Sequence, residues 1–176
     1  VTASLLNEAN KSFNTELTDL LLTALGQTFY KENNMTTIDI QLEGHGREAV
    51  GKETSLEVDR TVGWFTSVYP VVINTSDNTE DNIIGVKEML RGVQNNGCGL
   101  NIIKYKTNYE LPDYQPAIGF NYLGELEQLD SGNGYFKLAK LSAGRTIAAN
   151  NNLGVSILIT AQMEVDRLMV DFTFDK

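Results

Sequence analysis

A strand-like alternation that ends in a charged, glycine-containing hexapeptide sets the first limit on the fold of this chain. Apolar side chains at positions 38, 40 and 42 alternate with polar ones at 39, 41 and 43, which predicts a β-strand. The strand runs into Glu43-Gly44-His45-Gly46-Arg47-Glu48, where two glycines let the backbone turn sharply. The sequence therefore predicts a strand whose end presents two acids, a base and a cation.

Three helices are predicted from apolar residues at spacings of three and four. One covers residues 15–30, where Thr15 or Asn14 can cap the first turn. Another begins near Thr79, its predicted cap, and places apolar residues at 83, 86, 90 and 93. A shorter helix is predicted over residues 4–13.

Further strands are predicted over residues 68–74, 117–123, 155–165 and 168–174. Pro70 requires an edge strand, a bulge or a strand that begins just after it. The last two runs are separated by Asp166-Arg167 and predict a hairpin. Polar, glycine-rich stretches at 95–99, 130–134 and 148–152 predict loops. Strands are thus both adjacent and separated by helices, which predicts a mixed α/β fold.

The composition limits the function classes. A chain of 176 residues, 41% hydrophobic and 21% charged, fits one globular domain spanning residues 1–176. A net charge of −9 without a basic stripe argues against nucleic acid as a partner. The single cysteine, Cys98, can form neither an internal disulfide nor a metal cage, which predicts an intracellular, cytoplasmic location. The longest mostly apolar stretch, 62–73, is too short to cross a membrane at roughly 20 residues.

The hexapeptide on its own has two interpretations. A polar surface turn with paired charges is the commoner structure for such a sequence, and His45 alone is more often a hydrogen-bonded loop residue. Alternatively, Glu43 at a strand end acts as an acid or base near neutral pH. Taken alone, the hexapeptide favours the polar turn.

Four motifs stand in order along the chain. They are DLLLTALG at 19–26, EGHGRE at 43–48, RTVGWFTSVYP at 60–70 and FNYLG at 120–124. Together they resemble the motif set of epimerization domains of nonribosomal peptide synthetases. EGHGRE also separates that family from the related condensation domains.

The chain departs from the family pattern in two places. QNNGCGLN at 94–101 resembles the family's P-x-x-G-x-G-Y-G loop but lacks its proline, its tyrosine and its last glycine. The H-H-x-x-x-D-G motif, which lies in the N-terminal half of the family's domain, is absent. The chain also opens at Val1, without a methionine, in a helical pattern. We therefore expect residues 1–176 to be the C-terminal half of such a domain and a piece of a longer protein.

The resemblance implies a fold and a reaction. It implies one chloramphenicol acetyltransferase-like subdomain, a mixed β-sheet covered by helices. It implies that the complete domain is an amino-acid epimerase, which inverts the α-carbon of an aminoacyl or peptidyl residue held as a thioester. That substrate is carried on the phosphopantetheine of a peptidyl carrier protein, and no intrinsic cofactor is required. The implied partners are this carrier protein and the N-terminal half of the same domain, without which the fragment is expected to be inactive.

The resemblance also implies roles for individual residues. Glu43 is one acid/base group, and the histidine of the N-terminal half is the other. Arg47 orients a carboxylate or stabilises developing negative charge. Asn121 and Tyr122 line the same cavity and donate to an enolate oxygen, although a strand tyrosine is commonly a core residue.

Four other motif residues have less specific expectations. His45 and Glu48 are motif members that either shape the loop or take part in chemistry. Trp64 and Phe65 are expected to be packing anchors of their loop.

Two alternatives to the epimerase remain at this point. A condensation-type acyltransferase half would form amide bonds instead of inverting a centre. A docking fragment would bind the N-terminal half or the carrier protein without taking part in chemistry.

Overall fold

The structure of the chain is a computed structural model. It describes residues 4–47, 58, 60–125, 141, 144, 148, 151, 154–164 and 167–174.

The described residues form a five-stranded mixed sheet with helices. The helices are a π-helical turn at Leu5–Ala9, then α1 (Asn10–Phe13), α2 (Leu17–Asn33), α3 (Thr79–Gly92), a 3-10 turn at Gln94–Gly97, and α4 (Cys98–Lys106). The strands are β1 (Thr37–Gly44), β2 (Ser67–Asn74), β3 (Ile118–Glu125), β4 (Ile157–Glu164) and β5 (Arg167–Phe174). The predicted α/β class, the three predicted helices and the five predicted strands are confirmed.

The strand order is β2-β1-β3-β4-β5. β1 pairs with β2 and β4 pairs with β5 in antiparallel fashion, while β1–β3 and β3–β4 are parallel. Of the three options for Pro70, the structure has the edge strand, since β2 lies at the margin of the described sheet. The predicted C-terminal hairpin is present as β4 and β5, with Arg167 already in β5, and its connecting residues 165–166 lie outside the described part.

Both helix caps lie one or two residues from their predicted positions. The cap of α2 is Glu16, whose backbone N–H donates to the Asp19 carboxylate at 2.8 Å. Thr15 is instead hydrogen-bonded to the Asn10 side chain at 3.2 Å.

The cap of α3 is Asn78, not Thr79. The Asn78 side chain accepts from the backbone N–H groups of Glu80 and Asp81 at 3.0 and 3.4 Å. The Thr79 hydroxyl accepts a hydrogen bond from the Gln27 amide at 2.8 Å. It therefore joins α3 to α2.

The core lies between the helices and one face of the sheet. Ile38, Ile40 and Leu42 are at most 4% exposed and pack with Leu22 of α2 and Val86 of α3. We call this the helix-covered face. Alternation along β1 turns Asp39, Gln41 and Glu43 to the opposite side, which we call the Glu43 face.

The stretch 95–99, predicted as a loop, is only partly one. Asn95 and Asn96 adopt left-handed backbone angles with φ of 49° and 44°. The helix α4 then begins at Cys98 and was not predicted, because its first turn contains Gly99 and follows Gly97. The predicted loops 130–134 and 148–152 lie outside the described residues, apart from single positions at 148 and 151.

None of the helices in the described residues has the length and apolar character that a membrane crossing requires.

Candidate functional site

Glu43 and Asn121 meet on the Glu43 face of the sheet. Leu42 of β1 pairs with Phe120 of β3, so the next residue of each strand falls side by side on the opposite face. The Asn121 amide nitrogen donates to a Glu43 carboxylate oxygen at 2.9 Å. Glu43 is exposed and Asn121 is half-buried. One carboxylate oxygen is therefore hydrogen-bonded while the group stays exposed.

Tyr122 lies on the other side of the same strand. Its half-buried side chain packs against the core, as strand alternation requires. It lines a cavity of about 330 Å³ together with Leu42, Glu43, Tyr69 and Phe120. The structure therefore brings Tyr122 to a cavity that Glu43 also lines, while Asn121 is brought to Glu43 by a direct hydrogen bond. Tyr122 lines this cavity, and Asn121 is hydrogen-bonded to Glu43, which also lines it, so the expectation that Asn121 and Tyr122 act in one cavity stays a prediction.

Arg47 is bound by the loop that follows the hexapeptide. Its guanidinium donates to the backbone carbonyl of Val58, to that of Thr61 at 3.0 Å and to that of Gly63 at 3.4 Å. It also stacks on the Phe65 ring at 4.2 Å from the ring centroid. Arg47 therefore fastens Val58, Thr61, Gly63 and Phe65. Among the described residues its hydrogen bonds go to carbonyls, not to a carboxylate, which was one of its two expected targets.

The residues before Arg47 complete this turn. Gly46 has a φ of 67°, and a side chain there would collide with the Phe65 carbonyl. The His45 Nδ1 atom accepts the backbone N–H of Arg47 at 3.0 Å. These contacts give His45 a loop-shaping position, while Glu48 lies outside the described residues.

Only one of the two expected packing anchors packs. Phe65 is half-buried under the Arg47 guanidinium, as expected. Trp64 is 90% exposed and Val62 is fully exposed, so the expectation for Trp64 is wrong. Polar contacts to Arg47 hold the loop, and the Trp64 indole lies outside them in solvent.

A second opening, lined by residues from both faces of the sheet at β2, was not anticipated from the sequence. This tyrosine cleft has a volume of about 740 Å³ and includes Gln41, Pro70, Lys104, Tyr105, Tyr109 and Tyr114 in its lining. The Tyr114 hydroxyl donates a hydrogen bond to the Asp39 carboxylate, and this bond raises the pKa of Tyr114. Apart from Pro70, the last residue of RTVGWFTSVYP, these residues belong to none of the motifs, and they come from β1, α4 and the segment before β3.

Comparison with protein families finds one that covers the whole chain. The condensation domain model matches residues 1–176. Bacitracin synthase 2 of Bacillus licheniformis is 40% identical over 179 residues, which cover 99% of this chain and 7% of that protein. Tyrocidine synthase 1 of Brevibacillus parabrevis is 36% identical over 191 residues, 98% of this chain and 17% of that protein. The chain therefore spans a small part of the length of these relatives.

Solved structures share the fold. The epimerization domain from the third module of tyrocidine synthetase B superimposes with a TM-score of 0.83 at 32% identity, covering 97% of this chain and 39% of that one. The first condensation domain of the CDA synthetase gives a TM-score of 0.59 at 11% identity, which is a likeness of fold alone. More than half of the epimerization domain's chain thus has no counterpart here.

Proposed function

This chain belongs to the condensation domain family, and from that premise we propose that it forms the C-terminal half of an epimerization domain. Its relatives are peptide synthetases, in which domains of this family work on substrates carried by carrier proteins. In the proposed reaction the complete domain converts the L-residue of a carrier-bound aminoacyl or peptidyl thioester to the D form. The substrate is attached as a thioester to the carrier's phosphopantetheine, and the reaction needs no further cofactor.

Glu43 takes the role of one acid/base group. In one direction its carboxylate removes the α-proton, and the electron pair of the broken C–H bond moves to the thioester oxygen as an enolate. A proton returned to the opposite face of the α-carbon then gives the inverted centre. The second group, a histidine, belongs to the N-terminal half that this chain lacks.

One observation supports this role above the others. Glu43 is exposed in strand β1, and the 2.9 Å hydrogen bond from Asn121 holds its carboxylate. A general base must be both reachable and oriented. We assign Asn121 as the positioning residue of Glu43, and Tyr122 as a wall of the adjoining cavity.

The roles of the remaining hexapeptide residues differ. Arg47 acts through the loop that it fastens and not directly on the substrate. His45 helps to shape the same turn. The motif EGHGRE thereby combines one acid/base residue, Glu43, with two residues, His45 and Arg47, that fix the neighbouring loop.

Condensation-type acyl transfer is the second candidate. It is favoured by the family description itself. The two reactions leave different products, because acyl transfer joins two carrier-bound residues through a new amide bond while epimerization changes only one α-centre.

The experiment that separates them uses this chain joined to its N-terminal half. The complete domain is incubated in heavy water with an L-aminoacyl or L-peptidyl carrier protein and a second, aminoacylated carrier. The epimerase proposal predicts deuterium at the α-carbon and a mixture of D and L residues after release. A new amide bond without α-deuterium would overturn the epimerase proposal in favour of condensation. If neither product formed, only the docking role would remain.

A further inference from the structure

We infer that the tyrosine cleft binds the peptide segment that precedes the residue being inverted, so that the site is built for a peptidyl rather than an aminoacyl thioester. This inference rests on the proposed function of Glu43. It adds a second contact region, lined in part by residues of the Glu43 face, for the part of the substrate away from the reacting carbon.

The position of the cleft relative to Glu43 supports this assignment. Gln41 lines the cleft and lies two residues before Glu43 on the same face of β1. Alternate residues of a strand are about 7 Å apart. That distance is about the length of two residues of an extended peptide, so a chain whose last α-carbon is at Glu43 reaches the cleft within one or two residues.

The lining suits a peptide. Tyr105, Tyr109 and Tyr114 are 69%, 69% and 55% exposed, which is unusual for three large aromatic side chains beside one opening. Tyrosines present a rigid apolar ring and a hydroxyl that can pair with a peptide group, at little cost in side-chain entropy. The Gln41 amide adds both a donor and an acceptor at the end near Glu43.

The cleft also has a fixed wall. The hydrogen bond from the Tyr114 hydroxyl to Asp39 ties the segment before β3 to β1. On the other side, Lys104 lies over the Tyr105 ring at 5.4 Å from the centroid. The volume of about 740 Å³ falls within the range of about 300–1,000 Å³ typical of ligand sites.

The charge of the lining favours the peptide as the occupant of the cleft over the phosphopantetheine arm, the other extended part of the substrate. Lys104 is accompanied in the lining by Asp113, and Asp39 lies beside Tyr114. Such a lining carries no net positive charge to attract a phosphate. An uncharged peptide backbone between aromatic rings fits it better.

The test compares two substrates on the complete domain. One carrier protein holds a single L-amino acid, and the other holds a tetrapeptide that ends in the same residue. Phosphopantetheine is common to both. The α-hydrogen exchange of each is measured in heavy water for the wild-type domain and for Tyr105→Ala, Tyr109→Ala and Tyr105→Phe, with Ile102→Ala as the control, a 45% exposed residue on the same helix.

The inference predicts a loss of about tenfold or more in kcat/KM for the tetrapeptidyl carrier in each alanine variant, since an interface aromatic commonly contributes that much. Exchange on the aminoacyl carrier should stay within about twofold, Tyr105→Phe should keep most of the selectivity, and Ile102→Ala should match the wild type. An equal loss on both carriers, or no loss on either, would overturn the inference.

A binding measurement keeps this result separate from the reaction itself. Stable amide analogues of the two carrier-bound substrates are titrated onto the same variants. A weaker binding of the tetrapeptidyl analogue alone supports the cleft, even if the wild-type domain catalyses no exchange and the proposed function fails. Equal affinities for the two analogues in the wild-type domain would refute the cleft while leaving the proposed function intact.

Discussion

Removing the Arg47 guanidinium should release the loop of residues 60–65 without unfolding the sheet. The loop is fastened by hydrogen bonds to the carbonyls of Val58 and Thr61, by a longer one to Gly63, and by stacking on Phe65. Arg47→Gln keeps a polar side chain but loses the charge and the fork of donors. Arg47→Lys keeps the charge but offers a single ammonium group to carbonyls that face it from different directions.

The magnitude follows from these contacts. A hydrogen bond from a charged donor is worth about 1.5–3 kcal/mol when sheltered, but exposed charges contribute under about 1 kcal/mol. Because Arg47 is half-buried, we assign about 0.5–1 kcal/mol to each of the two shorter bonds and a similar amount to the ring contact. Their loss amounts to about 1.5–3 kcal/mol, or about 10- to 150-fold in the equilibrium for loop opening.

Limited trypsin digestion measures that opening, because Arg60 lies exposed within the loop. Cleavage after Arg60 should be faster by that factor in Arg47→Gln, and by a smaller factor in Arg47→Lys, when opening and closing are fast compared with cleavage. Arg91→Gln is the matched control, since Arg91 binds the Asn14 carbonyl elsewhere at 2.7 Å. Cleavage of Arg47→Gln within twofold of the wild type would refute the fastening role.

Two further predictions concern the scaffold. Asn78→Ala removes the acceptor for the Glu80 and Asp81 N–H groups and should lower the free energy of unfolding by about 1 kcal/mol in urea denaturation, while Thr79→Ala, which leaves the cap in place, should cost less. The hydrogen bond to Asp39 raises the pKa of Tyr114 above its value in the unfolded chain. The hydrogen bond therefore stabilises the fold fully below about pH 10, and this stabilisation is lost as the pH rises through the raised pKa. Absorbance titration should therefore show a late-titrating tyrosine that Tyr114→Phe removes; an unchanged titration curve would contradict the pairing.

The strands and long helices could be predicted because local periodicity determines them. Alternation at 38–43 and the spacing of three and four within 79–92 are readable within one segment. The cap errors at Thr15 and Thr79 arose because a neighbouring residue competed successfully for the helix end, and sequence alone does not rank such neighbours. The helix α4 was missed because two glycines at its start lower its intrinsic propensity, while packing of Leu100 on the core supports it.

The candidate site was partly predictable. Glu43 and Asn121 were both named from motifs, but their hydrogen bond depends on the register between two strands 78 positions apart in the chain. The fastening role of Arg47 depends on the path of a loop, and the tyrosine cleft on residues from four separate segments. Such contacts are set by tertiary packing, which no local pattern contains.

The most direct measurement of the central claim is α-hydrogen exchange by the complete domain carrying Glu43→Gln. Glutamine keeps the size of the side chain and can still accept the Asn121 hydrogen bond, but it cannot take up a proton. Single-turnover exchange on a carrier-bound thioester in heavy water should fall by about 100-fold or more, with Glu80→Gln as the exposed control at the wild-type rate. Exchange and inversion at an undiminished rate in Glu43→Gln would contradict the assignment of Glu43 as the base.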